Sequence, residues 1–219
     1  MSDNDLLTEW QPKLVQIASA ALQGDGAHDI NHLHRVWASA QALMAKEAGA
    51  DPLVVLAACY LHDLVNLPKN HPERSTASTQ SANAARTTLA ALDFPPQKLD
   101  AVAHAIEAHS FSAAIAPRSL EARIVQDADR LDALGAVGLA RLFYIAGQMG
   151  SALADGADPL AANRPLDDRA FALDHIVAKL FKLPAMMQTP AGRHLADQRL
   201  SRLTTFRNDF AQEWIGAAA

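Results

Sequence analysis

The sequence predicts an all-α protein, a single helical domain spanning 1–219. Half of its residues are hydrophobic but only 5% are aromatic, and alanine supplies much of the excess. Alanine is the best helix former, and its small side chain lets helices approach closely. Helix start and stop signals recur along the whole chain. No segment sustains the period-2 alternation of a strand.

The first helix is expected over about Asp5 to Leu22, stopped by Gly-Asp-Gly at 24–26. A second runs from about Asp29 to Ala48, with Gly49 as a natural C-terminal stop. Asp51-Pro52 supplies an N-cap followed by proline at the first helical position. It opens a third helix that ends near His62-Asp63. The segment LVNLPKNHPER reads as a loop, followed by helices at about Ser75 to Leu92 and Gln97 to His109. One long helix is expected from about Leu120 to Ala146, then an irregular excursion from Gly147 to Asp168. Helices at about Arg169 to Leu183 and Ala191 to Trp214 close the chain, the last entered through Thr189-Pro190. The core is placed at about 28–146, with the C-terminal helices (169–216) packed on it. Trp10, Trp37 and Trp214 are expected as packing anchors.

The formal net charge is −5, and no basic stretch is long enough for a nucleic-acid tail. These charges argue against tight, sequence-independent binding to nucleic acid through phosphate neutralisation, and leave room for a local basic patch that takes one small phosphate ligand. Cys59 is the single cysteine, so it has no intramolecular disulfide partner and reads as a buried, inert thiol. The N-terminus is acidic, and no uncharged apolar stretch reaches about 18 residues. A cytoplasmic protein without a membrane partner is expected, as a monomer or homodimer.

Residues able to do chemistry sit on three helices. His28 and His32 are four apart on one face, as a chelating pair would be, and His34 points elsewhere. His62-Asp63 ends the third helix. Asp127, Asp129 and Asp132 interrupt the apolar stripe Ile124, Ala128, Leu131, Gly135, Gly138 and Leu142. Unpaired acids against such a stripe are expensive. Either Arg123, Arg130 and Arg141 neutralise them, or one of them binds metal, and periodicity does not say which. Lys69, His71 and Arg74 crowd the loop after Asp63, with Asn66 beside them; such a cluster suits phosphate. His104 and His109 are five apart, on only partly overlapping faces. His175 and Lys179 are four apart near the C-terminus. Arg193, His194, Arg199 and Arg202 read as an ordinary charged face.

H-x-x-R-V at 32–36, H-D at 62–63 and A-D-R-L at 128–131 occur in this order, each on or ending a helix. The pattern resembles the HD superfamily of metal-dependent phosphohydrolases, and most closely a subgroup of small bacterial HD-domain hydrolases. The longer matching segments are HD-x-x-H-x-x-R-V (28–36), LHDLVNLPKNHPERS (61–75), QDADRLDALGAVG (126–138) and TPAGRHLADQR (189–199). The resemblance implies a helical bundle of the HD-domain type. It implies His32, His62, Asp63 and Asp129 as metal ligands, and so selects Asp129 from the three acids.

Two imidazoles and two carboxylates suit one divalent ion, Mn²⁺ first, with Ni²⁺, Fe²⁺, Zn²⁺ or Mg²⁺ as alternatives. A second ion near His104 and His109 is left open. The expected activity is hydrolysis of a small phosphorylated substrate, in first place a nucleotide, as a pyrophosphohydrolase or phosphatase. Metal-activated water would attack, with His62 and Asp63 catalytic. Asn66, Lys69, His71, Arg74, His109 and Lys179 would contact substrate. Two alternatives stand beside this. One is a hydrolase of a signalling nucleotide, such as guanosine tetraphosphate or a cyclic nucleotide. Against it, no acid lies between Asp63 and Glu73, where guanosine-tetraphosphate hydrolases of the superfamily carry a Glu-Asp pair. The other is a non-catalytic ligand-binding HD module.

Overall fold

A computed structural model describes residues 2–21, 29–67, 71–214 and 216. It is all-α. The helices are α1 (Asp3–Ala21), α2 (Ile30–Met44), α3 (Pro52–Leu61), α4 (Ala77–Ala91), α5 (Leu99–His109), α6 (Leu120–Asp132), α7 (Gly135–Met149), α8 (Ala172–Ala178) and α9 (Pro190–Trp214). Single 3₁₀ turns occur at Arg74–Thr76, Pro96–Lys98, Leu180–Lys182 and Pro184–Met186. Among the described residues the nearest thing to a strand is one isolated bridge between Ala152 and Phe171. The chain divides into two compact units, Met1–Asp129 and Arg130–Ala219.

In the first unit α3 is central, packed by α1, α2 and α5. A helix apolar all round must be buried all round, and every residue from Leu53 to Leu61 is buried. Each buried Leu or Val side chain contributes roughly 1.5–3 kcal/mol. The helix starts as its sequence requires. Asp51 accepts from the N–H groups of Leu53 and Val54 at 3.0 and 3.3 Å, with Pro52 at the first position. Lys98 pairs with the other Asp51 oxygen. Trp10 and Trp37 are buried, and Trp10 meets Phe94 edge to face at 4.8 Å. Cys59 is fully buried and burial pushes its thiol pKa up, so it is inert.

The single long helix expected over 120–146 is instead two. α6 ends at Asp132, and α7 begins at Gly135, which has φ +75°. Only glycine adopts that region without strain. The turn also needs Gly138, because a Cβ there would meet the Ala133 carbonyl oxygen at 2.2 Å. The apolar stripe drawn through Gly135, Gly138 and Leu142 therefore belongs to two helices, not one.

The second unit packs α7 against α9. Phe143, Phe206 and Phe210 line that contact, and Trp214, 38% exposed, stacks on Phe210 at the rim. The excursion before α8 is held by Arg164. Its guanidinium grips the buried Asp174 through two bonds of 2.6 and 2.8 Å and covers the Phe171 ring. Thr189 opens α9 by accepting from the Gly192 N–H at 2.9 Å. None of the described helices is long and apolar enough to cross a membrane.

Candidate metal centre

His32, His62, Asp63, His109 and Asp129 converge in the first unit. His32 is the third residue of α2, and its N–H donates to the N-cap carboxylate of Asp29 at 2.9 Å. His62 follows the last residue of the buried α3, and His109 is the last residue of α5. Both make the same local bond. His62 Nδ1 lies 2.9 Å from the Cys59 carbonyl, and His109 Nδ1 lies 2.6 Å from the Ile106 carbonyl. A carbonyl only accepts, so each Nδ1 carries the proton and each neutral ring presents Nε2 as a lone pair. Backbone carbonyls orient metal-ligating imidazoles in this way.

The outward atoms meet at close range. His32 Nε2 lies 3.4 Å from His62 Nε2 and 3.5 Å from Asp129 Oδ1. His62 Nε2 is also 3.6 Å from Asp63 Oδ2 and 3.8 Å from Asp129 Oδ1. His109 Nε2 is 3.7 Å from Asp63 Oδ1. Ligand atoms about 2.1 Å from one ion lie about 3.0 Å apart at right angles and about 3.4 Å apart in a tetrahedron. The observed separations begin at the tetrahedral value, 3.4 Å, and run up to 3.8 Å. Two groupings could hold a cation, His32–His62–Asp129 and His62–Asp63–His109. They share one His62 nitrogen, whose single lone pair serves one ion. The donor set of imidazoles and carboxylates fits a divalent first-row metal or Mg²⁺.

Electrostatics agree with a charge-dense pocket. Burial raises the Asp129 carboxyl, but His62, His32 and His109 outweigh it and hold its pKa below the ordinary value. Burial and the His62 ring hold His109 below the usual imidazole value. His109 thus favours its neutral form.

The other acids of α6 are elsewhere. Asp132 is buried and pairs with Arg141, as neutralisation by arginine predicts. Asp127 is fully buried. Arg130 donates to the Met186 carbonyl at 2.6 Å, and Arg123 is exposed. His104 does not join the cluster. Its Nε2 accepts from the Arg118 N–H at 3.0 Å and its Nδ1 lies 3.0 Å from Glu107 Oε1.

The loop residues expected to contact phosphate are placed unequally. Arg74 donates to Asn66 Oδ1 at 2.8 Å and to the Leu67 carbonyl, so it straps the loop to itself. His71 Nδ1 accepts from the Glu73 N–H at 3.1 Å, which puts the proton of the neutral ring on Nε2. Lys179 belongs to the second unit, where its N–H donates to the His175 carbonyl at 3.0 Å. His175 Nδ1 is 2.9 Å from Asp168. Lys69, His28 and the Gly-Asp-Gly stop lie outside the described residues.

Three residues around the cluster carry no role in the sequence reading. Asp29 is the N-cap beneath His32, legible as an acid opening α2. Ser81 holds the loop after Asp63, and Gln126 donates from Nε2 to the Ala108 carbonyl at 2.6 Å, beside His109. No local signal marks either contact.

Residues 29–134 match the family model of the HD domain. Over 207 residues the chain is 32% identical to YpgQ of Bacillus subtilis (strain 168), an uncharacterized protein, covering 93% of this chain and 92% of that one. A crystal structure from Lactobacillus plantarum superposes with a TM-score of 0.73 at 32% identity, covering 95% and 98% of the two chains. An HD-superfamily hydrolase from Bacillus thuringiensis does so with 0.73 at 29%, covering 96% and 99%. The crystal structure of YpgQ in complex with ADP gives 0.72, at 29% over the superposition, covering 95% and 96%. The chain belongs to the HD-domain superfamily.

Proposed function

We propose that this protein is a metal-dependent phosphohydrolase acting on small phosphorylated substrates, in first place nucleotides. The observation that carries the reading is the meeting of imidazole lone pairs with two carboxylates, His62 Nε2 lying within 3.8 Å of both Asp63 and Asp129. His32, His62, Asp63 and Asp129 are the proposed ligands. A divalent ion held there, Mn²⁺ in first place, would lower the pKa of bound water and polarise a phosphoryl oxygen.

The chain's own residues supply the rest. Asp63 faces His62 with one carboxylate oxygen and His109 with the other. It can therefore hold the ion while keeping an oxygen for the attacking water. His109, fixed by the Ile106 carbonyl, offers Nε2 as a proton acceptor for that water or a contact for substrate. Lys69 and His71 are the proposed phosphate contacts. Asn66 and Arg74 shape the loop that carries them.

A nucleotide is favoured over other phosphate esters because the relative YpgQ has been crystallised with ADP. Release of pyrophosphate from a nucleoside triphosphate and release of terminal phosphate are both open to this geometry.

The test uses metal-stripped protein reloaded with Mn²⁺ and a panel of nucleotides, with Asp63→Ala as control. Phosphate release with and without added pyrophosphatase separates the two cleavage modes. Activity in wild type and its loss in Asp63→Ala are expected. Equal rates in the two proteins would sink the enzymatic reading.

A further inference from the structure

The chain leaves the helical ladder just after Asp63. The last local bond is from the Leu64 N–H to the Leu61 carbonyl at 3.4 Å. From there to Leu67 the backbone is irregular. An unpaired N–H and carbonyl in such a segment cost free energy and leave the preceding residue free to move. Ser81, on α4, meets both groups of one residue. Its Oγ accepts from the Val65 N–H at 3.0 Å and donates to the Val65 carbonyl at 3.3 Å. Ser81 is fully buried. Asp63 thus stands between two fixed points, the end of α3 on one side and the Ser81 clasp two residues later on the other.

A second buried hydroxyl supplies an internal contrast. Ser78 lies one turn earlier on α4 and is 2% exposed, yet its Oγ has no hydrogen-bond partner among the described residues. Burial of a hydroxyl on α4 is therefore separable from the clasp.

Resting on the proposed reading of His62 and Asp63 as ligands, we propose that Ser81 is a positioning residue of the metal centre. It sets the Asp63 carboxylate by holding the Val65 backbone. Outer partners that orient metal ligands are worth about 10–100-fold in metal affinity or activity. Ser81→Ala should lose Mn²⁺ affinity by at least about tenfold within that range. It should also lower kcat more than it raises KM, because Asp63 acts on the reacting water. Ser78→Ala removes a hydroxyl that makes no clasp on the Val65 backbone, and should bind Mn²⁺ and turn over as wild type does.

The experiment measures Mn²⁺ affinity by competition with a chelating dye, and the visible absorption of Co²⁺-loaded protein as a readout of ligand geometry. Wild type, Ser81→Ala and Ser78→Ala are compared, with thermal unfolding of each apoprotein alongside. If Ser81→Ala does not fold, the isosteric pair Ser81→Thr and Ser81→Val isolates the hydroxyl. Threonine should keep wild-type affinity and the Co²⁺ spectrum, and valine should lose both. Wild-type affinity in Ser81→Ala, or equal affinity in the threonine and valine variants, would overturn the inference. So would an equal loss in Ser78→Ala. A wild-type protein that binds neither metal would instead remove the underlying ligand reading.

Discussion

The two units each gather acids, and answer them differently. In the second, Asp174 receives a bidentate guanidinium from Arg164, and Asp132 receives Arg141. Asp158 there accepts from the N–H groups of Ala162 and Asn163 at 2.9 and 2.8 Å. These donors are fixed parts of the chain, so each carboxylate is complete and structural. In the first unit Asp63 and Asp129 face imidazoles whose outward nitrogens are lone pairs by virtue of the carbonyls behind them. Lone pairs facing carboxylates form a set of ligand atoms able to hold a cation. The contrast separates a ligand set from a cluster of salt bridges more sharply than the number of acids does.

The largest expected effect divides two of the acids of α6, Asp129 and Asp132. Asp129→Asn should abolish retention of the metal and lower kcat/KM by about 10³-fold or more, since a catalytic ion is worth several kcal/mol. Its apoprotein should melt near the wild-type temperature. Asp132→Asn should leave metal content intact while lowering thermal stability, because it breaks a buried pair with Arg141. Metal analysis and thermal unfolding of the two variants read both effects. Metal loss in Asp132→Asn with retention in Asp129→Asn would reverse the assignment.

Much of this arrangement is legible in the sequence, and the remainder is nonlocal. The all-apolar run ending at His62, and the caps at Asp51-Pro52 and Thr189-Pro190, announce their helices directly. Helical periodicity places three acids on α6 but cannot rank them. Their ranking depends on the break at Gly135, after which α7 returns Arg141 to Asp132. A continuous helix would set those residues about 13 Å apart along its axis. The same limit hides Ser81, whose contact with Val65 spans 16 positions. The loop arginine shows the converse. Arg74 carries the charge of a phosphate contact, and among the described residues it donates to Asn66 and to the Leu67 carbonyl of its own loop, contacts that its charge alone does not announce.

A smaller effect is expected from the second unit's own cation. Arg164→Ala leaves the Asp174 carboxylate buried without its guanidinium. Removing the guanidinium from a buried carboxylate is destabilising, with the Asp167 N–H left as a donor to Asp174. Urea unfolding should show the loss, while Mn²⁺ affinity should stay at the wild-type value. A variant that keeps full stability but loses metal would break the division between structural and ligand acids.

The smallest effect is one of pH. Hydrogen bonds from the Asn163 and Ala162 backbone hold the Asp158 carboxyl below its ordinary value of 3.8, and those from the Asp158 and Ala157 backbone do the same for Asp155. A depressed folded-state pKa contributes stability that is present above the unfolded value and lost as pH falls through the folded one. The second unit should therefore lose stability as pH is lowered from about 5 through 3.8 and below. Asp158→Asn no longer titrates, and its one amide oxygen can accept from only one of the two N–H groups that bond separate Asp158 oxygens. It should be less stable than wild type at neutral pH, and the gap should narrow as the pH falls. Thermal unfolding of the two proteins across that range measures the difference. A constant gap would mean that the charge on Asp158 contributes nothing to holding the excursion.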